Sequence, residues 1–377
     1  MSRASYDTVI IGGGIAGLAC ARRLQDHNQD FLLISKDIGG RIRTSDDGTV
    51  NYGAFFVCSD YNHILPYVEM KKRIKLSDFC FHENDTQFVY HAPQLIPYLP
   101  QLFKVKTLLQ KFRKSFRKFR KTSETLSQKQ AIEQDPWLHQ LYMTNAADFI
   151  DEHHLWKGTN RYLSKGLYAT TFSPVQDMNA FSCLQFLLPL ITPIYTFTFL
   201  MEKMIEPFQK RILLSEVCRL QQKNDYNIIK HKTGTIQAKK VVIATDLPSM
   251  KLLTGITKTN TPVSTHMLHI RGTPKERFSN KVYHLFGPPS NIQAIADNFD
   301  GTYLLYYKNY QPTLKGLFTN AKILFQYDWN PAGSINGHTL IENNQGNGLY
   351  IIGDCNVAGL EESYITGLYA AHQIING

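Results

Sequence analysis

The chain has 377 residues, 43% of them hydrophobic and 12% aromatic. This excludes a disordered or low-complexity protein and allows two domains with a sizeable core. Its six cysteines, Cys20, Cys58, Cys80, Cys183, Cys218 and Cys355, include no C-x-x-C pair, so neither a zinc nor a thioredoxin-type centre is expected, and scattered thiols fit a reducing compartment. The formal net charge is +10, but no recognition motif accompanies it and no nucleic-acid partner is expected.

The first predicted strand, Val9 to Ile11, runs straight into Gly12-Gly13-Gly14-Ile15-Ala16-Gly17-Leu18, and Ala19, Ala21 and Leu24 continue with helical spacing. Strand, G-x-G-x-x-G and helix in this order predict a dinucleotide with its diphosphate on the helix N-terminus. Gly12 permits the tight turn, Gly14 lets the backbone approach the phosphates, and Gly17 lets helix and strand pack closely. The free N–H groups and the positive end of the helix dipole then face the phosphate oxygens. The residues ahead of this strand leave no room for the apolar core of a signal peptide, so a cytoplasmic chain is expected.

The second strand, Phe31 to Ile34, ends on Ser35, where the fingerprint places an acid on the adenosine ribose. Ser35 can bond a ribose hydroxyl itself, Asp37 can reach in from the loop, and Lys36 opens a reading with a 2′-phosphate. Gly39-Gly40-Arg41-Ile42-Arg43-Thr44 follows, then Asn51-Tyr52-Gly53-Ala54.

From Lys104 to Lys121 the chain carries no acidic residue, while Leu108, Leu109, Phe112, Phe116 and Phe119 recur at helical steps. One reading lays the apolar stripe on the core with a solvated basic face. The other lays a basic amphipathic helix on an anionic membrane or an acidic partner. Adjacent His153 and His154 point apart and lack further ligands at a useful spacing, so no metal is expected there. The apolar stretch Cys183 to Leu200 approaches membrane-spanning length, but Pro189 and Pro193 would break a spanning helix. It is read as buried structure.

Later in the chain, Leu213 to Val217 and Lys240 to Ile243 read as strands, the latter followed by Ala244-Thr245 and Pro248. Met267 to Ile270, Lys281 to Phe286 and Thr302 to Tyr307 also read as strands. Gly348 to Ile352 is an apolar strand closed by Gly353-Asp354, and Gly359 to Gly367 opens the last helix.

The G-G-R-x-x-T segment, the Ala244-Thr245 segment and the Gly353-Asp354 segment, in this order, resemble the flavin-containing amine oxidase superfamily, which also holds protoporphyrinogen oxidases and phytoene-type desaturases. The resemblance implies an α/β fold: a Rossmann-type FAD-binding domain with a discontinuous α+β substrate domain. The first would comprise residues 1–65, 205–255 and 340–377, the second 66–204 and 256–339. FAD would contact Gly12, Gly14, Ile15, Ala16, Gly17, Ser35, Lys36, Gly40, Arg41, Gly53, Ala54, Val217, Ala244, Thr245, Gly353, Asp354, Glu361 and Ser363. Arg41 would lie along the diphosphate, Val217 against the adenine, and Asp354 on the ribityl chain. The last helix would aim its N-terminus at the flavin, although Glu362, Ser363 and Tyr364 stand where the family has smaller residues.

The implied activity is dehydrogenation of an amine or a lipophilic substrate, the hydride passing to flavin N5. Amine oxidases of the family carry a lysine near N5. The matching position here is His266, with Lys281 on a later strand as a weaker candidate. Trp329 and Tyr364 are the candidates for an aromatic cage. The alternative is a flavin-binding interaction or regulatory module with structural FAD, docking through the basic helix.

Overall fold

The computed structural model describes residues 4–83, 86–90, 92–223 and 225–377. Its first sheet has seven strands. Six lie in the order Ile212–Leu214, Phe31–Gly39, Ala4–Gly14, Gly234–Ile243, Asn227–His231 and Val217–Gln222, while Leu349–Ile351 also pairs with Gly234–Ile243. The pairs between Ile212–Leu214, Phe31–Gly39, Ala4–Gly14, Gly234–Ile243 and Leu349–Ile351 are all parallel.

These central strands are continuous apolar runs because both faces are covered. Ile10, Leu33 and Val242 pack on the side of the helices Ile15–Asp26 and Leu360–Asn376. Their neighbours Val9, Ile11, Leu32, Ile34, Val241 and Ile243 pack on the opposite side, with Leu247, Met250 and Leu253 of the helix Leu247–Thr254. The period of two is the alternation of a pleated strand.

Two close approaches fix the helices. A Cβ on Gly17 would stand 2.0 Å from the Gly12 carbonyl oxygen, and one on Gly367 would stand 2.2 Å from that of Ala16. The first helix therefore sits hard on its strand, and the last helix sits hard on the first.

The second sheet has the order Phe318–Asn336, Thr261–Pro274, Thr302–Tyr307, Ile292–Asp297, Tyr283–Phe286, Phe79–Glu83 and Thr86–Phe88. It is antiparallel except where Tyr283–Phe286 meets Phe79–Glu83. The three strands expected here are present, the one expected from Lys281 starting at Tyr283. A third, small sheet joins Val57–Cys58, Ile194–Phe199 and Val68–Ile74.

The basic segment lies in the helix Leu99–Thr122, whose Val105, Leu109, Phe112, Phe116 and Phe119 are buried. Phe181 meets Phe112, Phe116 and Phe119 edge-on. The apolar stripe is thus spent on the core, and Lys106, Lys111, Lys114, Lys118 and Lys121 are left exposed. The stretch Cys183 to Leu200 divides at its prolines into the end of the helix Ala180–Leu187, a turn, and the strand Ile194–Phe199. Among the described residues no helix is long and apolar enough to cross a membrane.

Candidate cofactor and substrate cavity

A cavity of about 910 Å³ runs from the glycine loop of the first strand to the inner face of the second sheet, at the upper end of the usual size of a ligand site. At its back, Gly12 has φ +115°, and a Cβ there would meet the Ala244 carbonyl oxygen at 2.4 Å. A Cβ on Gly14, by contrast, has no protein atom within 4 Å. Gly14 is also the N-cap of the first helix, and no side chain caps it. The orphan N–H groups of that first turn therefore remain free for an anion. A glycine-edged cradle beside an uncapped helix end fits a dinucleotide diphosphate.

At one end of the cradle, Ser35 Oγ accepts the Gly13 N–H at 2.8 Å. Lys36, Asp37, Ser215, Glu216 and Val217 line the same end. Glu216 is bonded to Lys232 at 2.5 Å, and this bond holds its carboxyl below the ordinary value. The acid missing after the second strand thus has two replacements on the cavity, Asp37 in the same strand and Glu216 before Val217.

At the middle, Arg41 closes on Asp354 with two bonds of 2.5 and 2.6 Å. Burial alone would raise the Asp354 carboxyl. The charge and hydrogen bonds of Arg41 outweigh it, and the group ends below its usual range. This fork joins the segment after the second strand to the last strand, 313 residues apart.

At the front, Trp329 lines the cavity beside Gly53, whose Cβ position is 3.0 Å from the indole. The Trp329 Nε1 is buried without a partner. Beyond it the wall is aromatic and aliphatic, built from Phe79, Phe81, Tyr162, Leu167, Tyr283 and Tyr306. Arg120 and Glu362 complete this end with a buried pair at 2.6 to 2.7 Å, and Arg120 also faces Asp60 at 3.7 Å. Burial works against the Arg120 charge, but Glu362, Tyr61 and Asp60 more than compensate and hold it protonated.

The model of an NAD(P)-binding Rossmann-like domain matches residues 10–69. Flavin-containing amine oxidase A of Canis lupus familiaris is 32% identical over 97 residues, which is 24% of this chain and 18% of that relative's length. Among solved structures, the CLA-producing fatty acid isomerase from P. acnes superposes with a TM-score of 0.73 at 14% identity, over 96% of this chain and 97% of that one. Cyclohexylamine oxidase from Brevibacterium oxydans does so with 0.68 at 15% identity, over 98% of each chain. The chain has the fold of the flavin-containing amine oxidase superfamily.

Against the superfamily pattern, Gly12, Gly14, Ile15, Ala16, Ser35, Lys36, Gly40, Arg41, Gly53, Ala54, Val217, Ala244, Thr245, Gly353, Asp354 and Ser363 all line the one cavity, as does Trp329. Gly17 stands behind the loop as a packing residue. Four expected positions are elsewhere. Glu361 accepts the backbone N–H groups of Asn62, His63 and Ile64, and its neighbour Glu362 takes the place on the cavity. Tyr364 turns away with the helix period and stacks on His63 and Tyr67. His266 is one strand position out of phase with buried Thr265 and Met267. It bonds Asp328 at 2.6 Å, stacks on Tyr307 and is not among the lining residues. Lys281 donates to the Ser77 carbonyl instead.

Arg120 was concealed in the basic run. Counting 3.6 residues per turn from Phe112 and Phe116 puts position 120 on the buried stripe, and a charged residue on that stripe was the available signal.

Proposed function

We propose that the chain is an FAD-dependent oxidoreductase that dehydrogenates a lipophilic substrate. One continuous cavity, with a diphosphate cradle at one end and an apolar wall at the other, carries this reading. A flavin held there would accept a hydride from a substrate C–H. The chain's own residues contribute the diphosphate cradle, a carboxylate at Asp354, and a front wall that excludes water. Each carboxylate at the front is already engaged, Asp60 and Glu362 by Arg120 and Asp328 by His266. A cationic amine therefore meets no unengaged carboxylate there, which favours a lipophilic substrate over a diamine. Anaerobic mixing with long-chain unsaturated acids, polyenes and amines, followed by flavin bleaching, tests this. Bleaching by an amine alone would overturn the substrate class.

The displacement of His266, Lys281 and Tyr364 from the cavity favours a second reading, a binding module whose flavin is structural. A photoreduced flavin that reoxidises in air yet is bleached by no substrate class would support that module.

For a partner, we infer an anionic membrane surface at the outer side of the helix Leu99–Thr122. Ile96 and Phe103 are each 63% exposed at its start. From Phe103, three- and four-residue steps reach Lys106, Gln110, Lys114, Arg117 and Lys121, all exposed. Each cation near an anionic surface contributes about 1 kcal/mol, so Lys106→Gln, Lys114→Gln and Lys121→Gln together should weaken binding to phosphatidylserine vesicles by about a hundredfold. Unchanged co-sedimentation of the triple variant would contradict the inference.

A further inference from the structure

Behind the apolar wall, Phe79–Glu83 and Tyr283–Phe286 run parallel, with Cys80 level with His284 and His82 level with Phe286. Side chains alternate along both strands. Phe79, Phe81, Tyr283 and Leu285 line the cavity, and Cys80, His82 and His284 share the opposite face. The Cys80 sulfur and one nitrogen from each imidazole lie within 4.8 Å of one another. His82 Nε2 is 2.9 Å from His284 Nδ1. The three residues are only 3%, 2% and 2% exposed, and the His82 ring is stacked on Phe278 and Phe286.

The hydrogen bond between the imidazoles accounts for one nitrogen of each ring. His82 Nδ1 and His284 Nε2 are buried with no partner. A neutral imidazole has one N–H and one lone pair, so with each proton on the outer nitrogen the two facing nitrogens both present lone pairs to the space beside the Cys80 sulfur.

We propose that Cys80, His82 and His284 form a zinc site on the back of the cavity wall. Two imidazole nitrogens and one thiolate are a donor set that suits Zn²⁺ and offers nothing to the oxygen-seeking Mg²⁺ or Ca²⁺. Zn–N and Zn–S bonds of about 2.0 and 2.3 Å put neighbouring tetrahedral donors roughly 3.4 Å apart. The two nitrogens need to separate by only about half an ångström to reach that spacing. Gln87 Oε1 lies 3.9 Å from the sulfur.

Protonation permits binding. Each imidazole in its neutral form keeps one lone pair for the ion. On binding, the S–H bond breaks, its proton passes to solvent, and an S–Zn bond forms. Thiolate and ion together add a single positive charge beside Arg277. The ion would clamp two strands that carry the cavity wall, and this site does not depend on the flavin reading.

The test is equilibrium dialysis of the purified full chain against buffered zinc, with elemental analysis and zinc K-edge absorption. One zinc per chain, with one sulfur and two imidazoles in its shell, is expected. Cys80→Ser should weaken retention at least tenfold, while Cys218→Ser, at the exposed cysteine, should not. Flavin content should be the same in all three proteins. No retained zinc, or a shell without sulfur, would overturn the proposal. The wild-type spectrum alone decides it should the Cys80 variant fail to fold.

Discussion

The two ends of the cavity are built from different material. The back is backbone: the Gly12–Gly14 turn and the uncapped start of the first helix, bounded at the middle by one ionic fork between Arg41 and Asp354. The front is side chains, aromatic rings from the second sheet and its covering helices, closed by the Arg120–Glu362 pair. A backbone cradle binds what every dinucleotide shares, its diphosphate. A wall of side chains can be rebuilt for a different substrate without disturbing the cradle, and this is how one fold serves several chemistries.

The largest expected effect separates the two ends. A Cβ on Gly14 meets no protein atom within 4 Å, so Gly14→Ala should fold with an unchanged melting temperature while losing cofactor. Binding weakened at least a hundredfold, or about 2.7 kcal/mol, is the expected outcome by flavin titration. Retained affinity would show that the cofactor does not lie on this loop.

Next is Arg120→Met at the front, which strips the partner from a 1% exposed Glu362 side chain. A buried carboxylate left alone costs about 3 kcal/mol, read by urea unfolding. Arg120→Met combined with Glu362→Leu should recover most of it. A double variant no better than the single one would mean that the pair does more than neutralise itself.

The smallest effect compares two residues on facing strands. His266→Ala breaks a partly exposed pair and should cost less than about 1 kcal/mol, with turnover unchanged. Trp329→Phe keeps the fold but changes the cavity wall, and should alter turnover at least about threefold. Equal sensitivity of both would restore His266 to the chemistry.

The back of the cavity was legible because its signals are local. A strand, three spaced glycines and a helix fit within 20 residues, and the Arg41 and Asp354 segments each carry their own short pattern. The front was not, because its walls come from strands and helices scattered between Phe79 and Glu362 that meet only in the folded chain. Errors of a single position had large consequences there. Moving one residue along a helix turns Glu361 away from the cavity and brings Glu362 in, and moving one along a strand puts His266 on the wrong face. The Cys80, His82 and His284 cluster was invisible for the same reason, since it joins two strands 202 residues apart.

The most direct measurement is the identity of the dinucleotide. Purified protein, denatured and its supernatant resolved by chromatography, should release one FAD per chain, and stripped protein should take FAD up again. Release of NAD(P), or protein that carries no flavin and acquires none from added FAD, would contradict the account.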